Sequence, residues 1–342
     1  MSRKNLNVII KIPKLLKDKL KIKKINSIYK RFEKSLNIKD NFAVAVSGGP
    51  DSLALAFLAK IYSIKKSLSV KFFIVDHKLR PESTREAKFV LNLLKKKFIK
   101  SEILTWKGKK PLKNIQSQAR IKRYELIFRR CEKLDIKNIL LGHHKDDLIE
   151  NFFIRFLRGS GLKGLVSLGP KSTINSMNIF RPLIYEKKED LVYLSNKVFN
   201  FYVKDPTNSD EKFQRIRVRK LIHELQKDGL DKKKFLKTIQ NLKYSNDVVD
   251  FYVRENLKKN SFFSDKKNNL IINLNFFKQP YEVVFRTFSE VLKLVGKKYY
   301  SVRGSKLDKI IKDIENNRLK KSTLGGCLVE KVNQSIIVTK EH

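Results

Sequence analysis

The residues best suited to chemistry form the stretch Ser47-Gly48-Gly49-Pro50-Asp51-Ser52, which lies between a short apolar run and an apolar helical pattern. The two glycines allow a tight turn that exposes backbone N–H groups, and the N-terminus of the following helix favours an anion. We interpret this stretch as a phosphate-binding loop. Asp51 would repel bare phosphate, which indicates a Mg²⁺ ion between the carboxylate and the phosphates of a nucleotide. The alternative is an ordinary strand-to-helix turn that serine or aspartate caps.

A second polar group, Gly142-His143-His144-Lys145-Asp146-Asp147, follows the apolar segment 139–141. If a helix begins here, His143 and Asp147 lie one turn apart on the same face, with Asp146 beside them. A carboxylate could then orient the imidazole, or carboxylate oxygens could bind a metal ion. The alternative is that both aspartates only complement the positive end of the helix.

The elements that must position these residues alternate between apolar strands and amphipathic helices, which indicates an α/β fold with a doubly wound parallel sheet. The predicted strands are residues 42–46, 70–75, 102–106 and 139–141, and the predicted helices are 53–62, 82–98 and 115–134. Ligands of such sheets bind beyond the carboxyl ends of the strands. Five candidate residues follow predicted strands in this way, namely Asp51, Asp76, His77, His143 and His144.

Composition divides the chain into three parts. Residues 1–40 are predicted to form a basic N-terminal extension, residues 41–210 the α/β domain, and residues 211–342 a smaller, mainly helical, basic domain. The cluster Asp205-Pro206-Thr207-Asn208 consists of turn-forming residues and marks the boundary between the two domains. Near the end of the chain, Gly325-Gly326 predicts a hairpin whose second strand pairs with residues 335–338.

The charge of the chain points to a polyanionic partner. Lys and Arg together number 76 against 34 Asp and Glu, which gives a formal net charge of +42. Nucleic acid is the expected partner, and a compositional drift toward lysine codons is the alternative. Cys131 and Cys327 form neither a Cys-x-x-Cys pair nor a disulfide framework, so we expect a reducing cytoplasm. The apolar stretches are too short for a signal or membrane segment, so we expect no membrane association.

Several further motifs occur in one order along the chain. They comprise residues 47–52, 75–80, 119–124, 142–147 with Glu150, 157–165, Arg181-Pro182-Leu183 and 205–208, followed by Arg215, Arg217 and Arg219. Together these motifs resemble the tRNA(Ile)-lysidine synthases, a family within the N-type ATP pyrophosphatases. The resemblance covers residues 42–219 most closely, and Ile216 departs from the asparagine that the family commonly carries.

The resemblance implies an enzyme that works in two steps. ATP is cleaved between its α and β phosphates and activates the wobble cytidine of an isoleucine tRNA with a CAU anticodon as an adenylate. The ε-amino group of free lysine then displaces AMP and gives lysidine, which changes codon specificity from AUG to AUA. A monomer and a homodimer are both compatible with this activity.

Roles for individual residues follow from the same resemblance. Residues 47–52 would bind ATP, with Asp51 and Asp147 holding Mg²⁺, and Asp76 and His77 would lie near the adenosine half. Arg120 or Arg123 would neutralise charge at the reacting phosphorus. Lysine must lose a proton before it attacks, and the candidate base is His143, paired with Asp147 or Asp146. The expected tRNA-binding residues are Arg158, Lys163, Arg215, Arg217 and Arg219.

Two other hypotheses share parts of this pattern. A sulfur-inserting tRNA enzyme of the same superfamily would use the same loop, but it would usually need additional cysteines for catalysis or for a metal cluster. A non-enzymatic RNA-binding module with a decayed nucleotide loop would also be basic. The intact Asp51, His143 and Asp147 argue against such decay.

Overall fold

The computed structural model describes residues 12–108, 115–203, 212–264, 269–297, 302 and 304–341. The chain divides into two compact units, Met1–Leu236 and Lys237–His342. The predicted boundary at residue 210 and the turn-forming residues 205–208 lie outside the described residues.

A six-stranded sheet forms the centre of the first unit, with the strand order β3-β2-β1-β4-β6-β5. The strands are β1 (Phe42–Val46), β2 (Val70–Asp76), β3 (Ser101–Thr105), β4 (Asn138–Leu140), β5 (Lys171–Ile174) and β6 (Met177–Phe180). All neighbours pair in parallel except β5 and β6, which pair antiparallel. The predicted parallel-dominated α/β fold is therefore confirmed.

Helices cover both faces of this sheet. They are α1 (Lys14–Leu20), α2 (Lys23–Ser35), α3 (Pro50–Lys65), α4 (Ser83–Lys95), α5 (Ile115–Glu132), α6 (Lys145–Phe156), α7 (Leu162–Leu165), α8 (Lys188–Phe199) and α9 (Gln214–Lys227). On one face, α3 is buried along most of its length and shares a core with α2, α4 and α8. On the other face, Ile127 and Cys131 of α5 pack against Ala43 and Ile139 of the central strands.

The N-terminal segment differs from the expected basic extension over residues 14–35. Ile25, Ile28, Tyr29 and Phe32 recur at helical spacing and are buried in the same core as α3. Lysines dominate the composition of this segment, but its apolar residues all lie on one face of α2. Helices α1 and α2 are therefore part of the first unit.

The first unit also extends beyond the predicted boundary at residue 210. Val218 and Ile222 of α9 pack against Ile149 of α6, so α9 belongs with the sheet domain. The apolar positions of α9 alternate with arginines and lysines. This basic character is the reason that the sequence assigns the helix to a nucleic-acid-binding domain.

The second unit contains an antiparallel sheet as well as helices. Helix α10 (Lys232–Asn260) begins in the first unit and continues into the second. The other elements of the second unit are β7 (Ser261–Ser264), β8 (Asn269–Asn273), a 3₁₀ helix (Leu274–Lys278), α11 (Tyr281–Gly296), α12 (Gly304–Glu315), β9 (Lys321–Leu324), β10 (Cys327–Val332) and β11 (Ser335–Lys340). The five strands have the order β7-β8-β11-β10-β9. The predicted hairpin is confirmed: Gly325 and Gly326 have φ of +69° and +76° between β9 and β10, and Val329 lies opposite Val338 of β11.

Candidate active site

The loop after β1 turns at Gly48 and leads directly into α3. Gly48 has a φ of +85°, and a Cβ atom at this position would lie 2.5 Å from Cγ2 of Val90. The Ser47 N–H donates to the Ser52 hydroxyl over 3.1 Å, and that hydroxyl donates to the Gly49 carbonyl over 2.9 Å. The two serines therefore hold the loop in shape. The loop lies at the N-terminus of a 16-residue helix, where an anion is favoured.

The side chain of Asp51, in the first turn of α3, has a carboxylate oxygen that makes no hydrogen bond in the described part of the chain. Burial raises the pKa of Asp51, and its Oδ1 atom is buried with no hydrogen-bond partner among the described residues. Its Oδ2 atom lies 3.7 Å from Nε2 of His144. An unpartnered buried carboxylate oxygen is unfavourable, and a bound cation would relieve it. Asp51 therefore fits the role of a Mg²⁺ ligand, although no cluster of three or more protein ligands for a metal exists in the described part of the chain.

His144, rather than His143, lies among the carboxylates. It is the N-cap residue of α6: its N–H donates to Oδ2 of Asp147 over 2.8 Å, and its Nδ1 accepts from the Asp146 N–H over 3.3 Å. Its Nε2 lies 3.7 Å from both Asp51 and Asp147. The expected pairing of His143 with Asp147 or Asp146 is wrong, since α6 begins at Lys145 and His143 precedes the helix.

His143 lies on the other side of this group, in a cationic environment. Burial and the charges of Arg181, Arg120 and Arg215 lower the pKa of His143 well below its ordinary value. Its Nδ1 is buried and makes no hydrogen bond within the described residues. The imidazole is therefore neutral at physiological pH, with one nitrogen available to a ligand.

The carboxylates of α6 are held by arginines of α9. Arg215 contacts Oδ1 of Asp147 and donates to Glu150 over 2.5 Å, and Arg219 donates to Glu150 over 2.6 Å. Burial raises the pKa of Glu150, but Arg215 and Arg219 outweigh it and leave the pKa below its ordinary value. Both oxygens of Asp147 are thus engaged, by His144 and by Arg215. Asp147 does not fit the expected role of a metal ligand in this arrangement.

The structure places the expected tRNA-binding residues in different settings. Arg215 and Arg219 pair with protein carboxylates, while 38% and 33% of their side-chain surfaces remain exposed. Arg217 donates to the Lys212 carbonyl over 3.0 Å, and Arg158 donates to Gln214 over 2.5 Å. Lys163 lies on the short helix α7 and is exposed. Whether any of these five residues contacts tRNA stays a prediction.

Asp76 and His77 follow β2, as expected, but Asp76 has a structural role. It accepts hydrogen bonds from the Ser83 hydroxyl over 3.0 Å and from the Thr84 hydroxyl over 2.6 Å, at the start of α4. His77 accepts through Nε2 from Arg123 over 3.3 Å, and burial and this guanidinium lower the pKa of His77 to about 4. The His77 ring is therefore neutral, and Arg123 is held beside it.

Arg120 lies one turn before Arg123 on α5 and is exposed. Its guanidinium donates to the Tyr124 hydroxyl over 3.2 Å. Its charge lowers the pKa values of both His143 and Arg181, so these three residues are neighbours. Arg120 and Arg123 therefore face different parts of the site.

Arg181, which directly follows β6, is a site residue to which the sequence interpretation gave no role. Only 4% of its surface is exposed, and its Nη1 atom donates to the Gly169 carbonyl and to the Ser172 hydroxyl, both over 3.0 Å. Arg181 belongs to the motif Arg181-Pro182-Leu183, but the sequence pattern does not predict β6. The position of Arg181 at the carboxyl edge of the sheet therefore could not be predicted.

No helix in the described part of the chain combines the length and the apolar character that crossing a membrane requires.

Comparisons with known proteins agree with this geometry. The PP-loop domain family matches residues 18–225. A tRNA(Ile)-lysidine synthase from Wolbachia sp. subsp. Brugia malayi (strain TRS) is 32% identical over 306 residues, which cover 87% of this chain and 70% of the relative. The tRNA(Ile)-lysidine synthase of Orientia tsutsugamushi (strain Boryong) is 35% identical over 314 residues, covering 87% of this chain and 69% of the relative.

Among solved structures, the U34-tRNA thiolase NcsA from Methanococcus maripaludis, with its [4Fe-4S] cluster, has a TM-score of 0.55. The two chains are 18% identical, and the match covers 64% of this chain and 78% of the thiolase. This likeness shows the fold alone. The PP-loop match and the similarity to curated synthases along most of the sequence show that the chain belongs to the tRNA(Ile)-lysidine synthase family.

Proposed function

We propose that this protein uses ATP to join free lysine to the wobble cytidine of an isoleucine tRNA with a CAU anticodon, which gives lysidine. The observation that carries the proposal is the similarity to tRNA(Ile)-lysidine synthases over 87% of the chain, with the phosphate loop and Asp51 in place at the carboxyl edge of the sheet. The reaction belongs to the carbon–nitrogen ligases. The proposed location is the cytoplasm, where ATP and tRNA are present.

In the first step, the loop and the N-terminus of α3 bind the triphosphate of ATP. Asp51 would hold Mg²⁺ through its free Oδ1 atom, and the bound ion would neutralise charge on the phosphates. The Nε2 atom of His144 lies 3.7 Å from the other oxygen of Asp51. Arg120, which is exposed at the start of α5, is the cation best placed to approach the reacting phosphate.

In the second step, the ammonium group of lysine must lose a proton before it attacks the adenylated cytidine. His143 remains the candidate base because its imidazole is neutral and its Nδ1 has no partner in the described residues. Its lowered pKa makes it a weak base, so a proton taken from the ammonium group would pass from the imidazole to solvent water rather than stay on the ring. His144 is less suited to this role, since its Nδ1 accepts from the Asp146 N–H and its Nε2 lies near the carboxylates of Asp51 and Asp147.

A sulfur-inserting activity fits this chain poorly. The full sequence holds two cysteines, and Cys131 lies in the first unit whereas Cys327 lies in the second. Both are buried, and burial raises the pKa of Cys131 to about 12, so its thiol is unreactive near neutral pH.

The test is mass spectrometry of nucleosides from CAU-anticodon isoleucine tRNA after incubation with the protein, ATP, Mg²⁺ and lysine. We expect lysidine in the presence of all components, together with release of AMP and pyrophosphate. Omission of lysine should leave pyrophosphate release dependent on tRNA, since adenylation precedes attack. A thiolated nucleoside, or no modified nucleoside at all, would contradict the proposal.

A further inference from the structure

Arg181 is a buried cation that lacks a carboxylate partner in the described part of the chain. Its two recorded hydrogen bonds, to the Gly169 carbonyl and the Ser172 hydroxyl, both use Nη1. The Nε–H on the opposite edge of the guanidinium is buried and makes no hydrogen bond within the described residues. A buried, uncompensated charge destabilises a fold unless something binds to it.

The equally buried Arg286 shows what a purely structural arginine looks like in this protein. It is also 4% exposed, but it donates to Glu282 over 2.7 Å and to Asp250 over 3.0 Å, so its charge is neutralised within the second unit. Bracing the β5–β6 hairpin needs only the Nη1 contacts of Arg181. The positive charge and the free Nε edge of Arg181 have no such structural explanation.

The backbone places Arg181 beside His143. The Leu141 N–H donates to the Phe180 carbonyl over 2.9 Å, and the Lys145 N–H donates to the Glu186 carbonyl over 3.1 Å. The segments that carry His143 and Arg181 are therefore joined at both ends. The charge of Arg181 also contributes to the lowered pKa of His143, which supports their proximity.

The position in the sheet separates Arg181 from the expected adenosine site. The strand order places β2, which ends at Asp76, on one side of β1, and places β4 and then β6 on the other. The phosphate loop follows β1, so Arg181 lies on the side of the loop away from Asp76 and His77. The half of the sheet's carboxyl edge that carries β4 and β6 is therefore available to the second substrate.

We propose that the Nε edge of Arg181 binds the α-carboxylate of the amino-acid substrate. This inference rests on the proposed function. A guanidinium edge matches a carboxylate in shape and charge. Because Arg181 is almost completely buried, a small free ligand suits it better than a phosphate on the outside of a folded RNA. With the carboxylate held there, the lysine side chain extends its amine toward His143, and the exposed Arg120 adds a second positive charge.

The experiment compares lysine with lysinamide, which has the same side chain but no carboxylate, in the full-length protein and in Arg181→Gln. We expect Arg181→Gln to raise the KM for lysine by about 10- to 100-fold, the loss of a charge-assisted hydrogen-bonded pair. The KM for lysinamide should stay within about twofold, so the variant no longer discriminates between the two. Adenylation of tRNA without lysine should be unchanged. Arg130→Gln, which removes a half-buried arginine that pairs with Glu102 at the far end of α5, is the matched control and should alter none of these values.

Other outcomes overturn the inference in distinguishable ways. Retained discrimination against lysinamide with weaker, less salt-dependent tRNA binding would place an RNA phosphate at Arg181. Equal loss of adenylation would place the residue in the ATP site. If Arg181→Gln does not fold, Arg181→Lys replaces it, because lysine keeps the charge but lacks the paired N–H donors of the guanidinium. This variant should show the same selective rise in the KM for lysine. Failure of the unaltered protein to make lysidine would instead contradict the proposed function.

Discussion

Two adjacent histidines occupy different electrostatic environments because only one of them caps a helix. His144 turns its ring over the first turn of α6 and lies between Asp51 and Asp147, whereas His143 faces three arginines. Burial and the arginines disfavour a proton on His143, whose pKa is lowered well below its ordinary value. The site therefore has an acidic side, suited to a cation, next to a basic side, suited to an anion.

Replacement of Asp51 by asparagine should abolish the ATP-dependent step. We expect tRNA-dependent pyrophosphate release to fall by at least ~100-fold, because the neutral amide cannot replace a carboxylate ligand. Binding of tRNA should be nearly unchanged. Pyrophosphate release and a tRNA filter-binding assay measure the two effects, with Asp40→Asn as the control, since Asp40 is exposed and precedes β1. Near-normal release in Asp51→Asn would remove the residue from the mechanism.

The same substitution should not weaken the fold. Burial raises the pKa of Asp51 above its ordinary value of 3.8, so the folded state holds a proton there more tightly than the unfolded state does. The contribution of Asp51 to stability is therefore lost as the pH rises above that value. We expect the urea midpoint of Asp51→Asn at pH 7 to equal or exceed that of the unaltered protein. A clear decrease would contradict this account of the carboxylate.

His143→Ala should separate the two steps. Adenylation should proceed, because the loop, Asp51 and Arg120 remain, but lysidine formation should stall and adenylated tRNA should accumulate or hydrolyse. Activity should recover in part as the pH rises toward the pKa of the free amine, where lysine needs no base. Nucleoside mass spectrometry between pH 7 and 10, alongside pyrophosphate release, measures this. Equal loss of both steps at every pH would place His143 in the adenylation site.

The phosphate loop and Asp51 could be predicted from the sequence because their function depends on contiguous residues. The role of His144 could not, since the i, i+4 spacing of His143 and Asp147 indicates a pair only if the helix has already begun at His143. The ion pairs of Arg215 could not be predicted either. Its carboxylate partners, Asp147 and Glu150, lie more than 60 positions away in the sequence, and nothing local distinguishes an arginine that faces them from one that faces RNA.

At the scale of the secondary structure elements, strand β1 was predicted to the residue because it is apolar throughout and lies in the middle of the sheet. Strands β5 and β6 were missed because each has four residues and only partial burial. Their turn, Asn175-Ser176, has φ of +48° and +62° but lacks the glycine that commonly signals such a hairpin. Helix α2 was missed as a core element because lysines mask its single apolar face.

Helix α2 also supports the start of α6. Arg31 donates to Glu186 through two hydrogen bonds of 2.8 and 2.7 Å, and the Glu186 carbonyl accepts from the Lys145 N–H in the first turn of α6. Arg31→Ala would leave the buried Glu186 carboxylate without this partner. We expect a loss of about 1–3 kcal/mol in the free energy of unfolding.

Urea unfolding measures this loss, with Lys24→Ala as the matched control. Lys24, also of α2, pairs with Asp190 of α8, but the Asp190 side chain is 21% exposed against 8% for Glu186. Because water can solvate the Asp190 carboxylate when its partner is removed, we expect a loss below about 1 kcal/mol. Comparable losses in the two variants would mean that the Arg31–Glu186 pair provides no special support.

For the whole molecule, the formal charge of +42 is the dominant property. The ion pairs of the first unit use arginines such as Arg31, Arg215 and Arg219 to hold its own acids in place. Because bases outnumber acids more than twofold, such internal pairing can account for only part of the positive charge. The remainder is available to a polyanion in solution.

Affinity for tRNA should therefore fall steeply with salt. Each phosphate contact made by a lysine or arginine releases counterions, so a plot of log affinity against log salt concentration should have a slope of magnitude several. Titrations between 50 and 300 mM KCl measure this slope. A flat response would mean that the positive charge reflects composition and not recognition.

A hydrogen bond also joins the phosphate loop to a distant part of the chain, so an amide outside the loop can report when the loop moves. The Val203 N–H donates to the Gly48 carbonyl over 3.0 Å, and Cγ2 of Val203 would lie 3.0 Å from a Cβ atom at Gly48. When the loop opens, this hydrogen bond breaks and the Val203 amide becomes accessible to solvent. The rate of deuterium uptake at the Val203 amide therefore reports how often the loop opens. This uptake should slow when ATP occupies the loop, even in a variant that cannot complete the reaction.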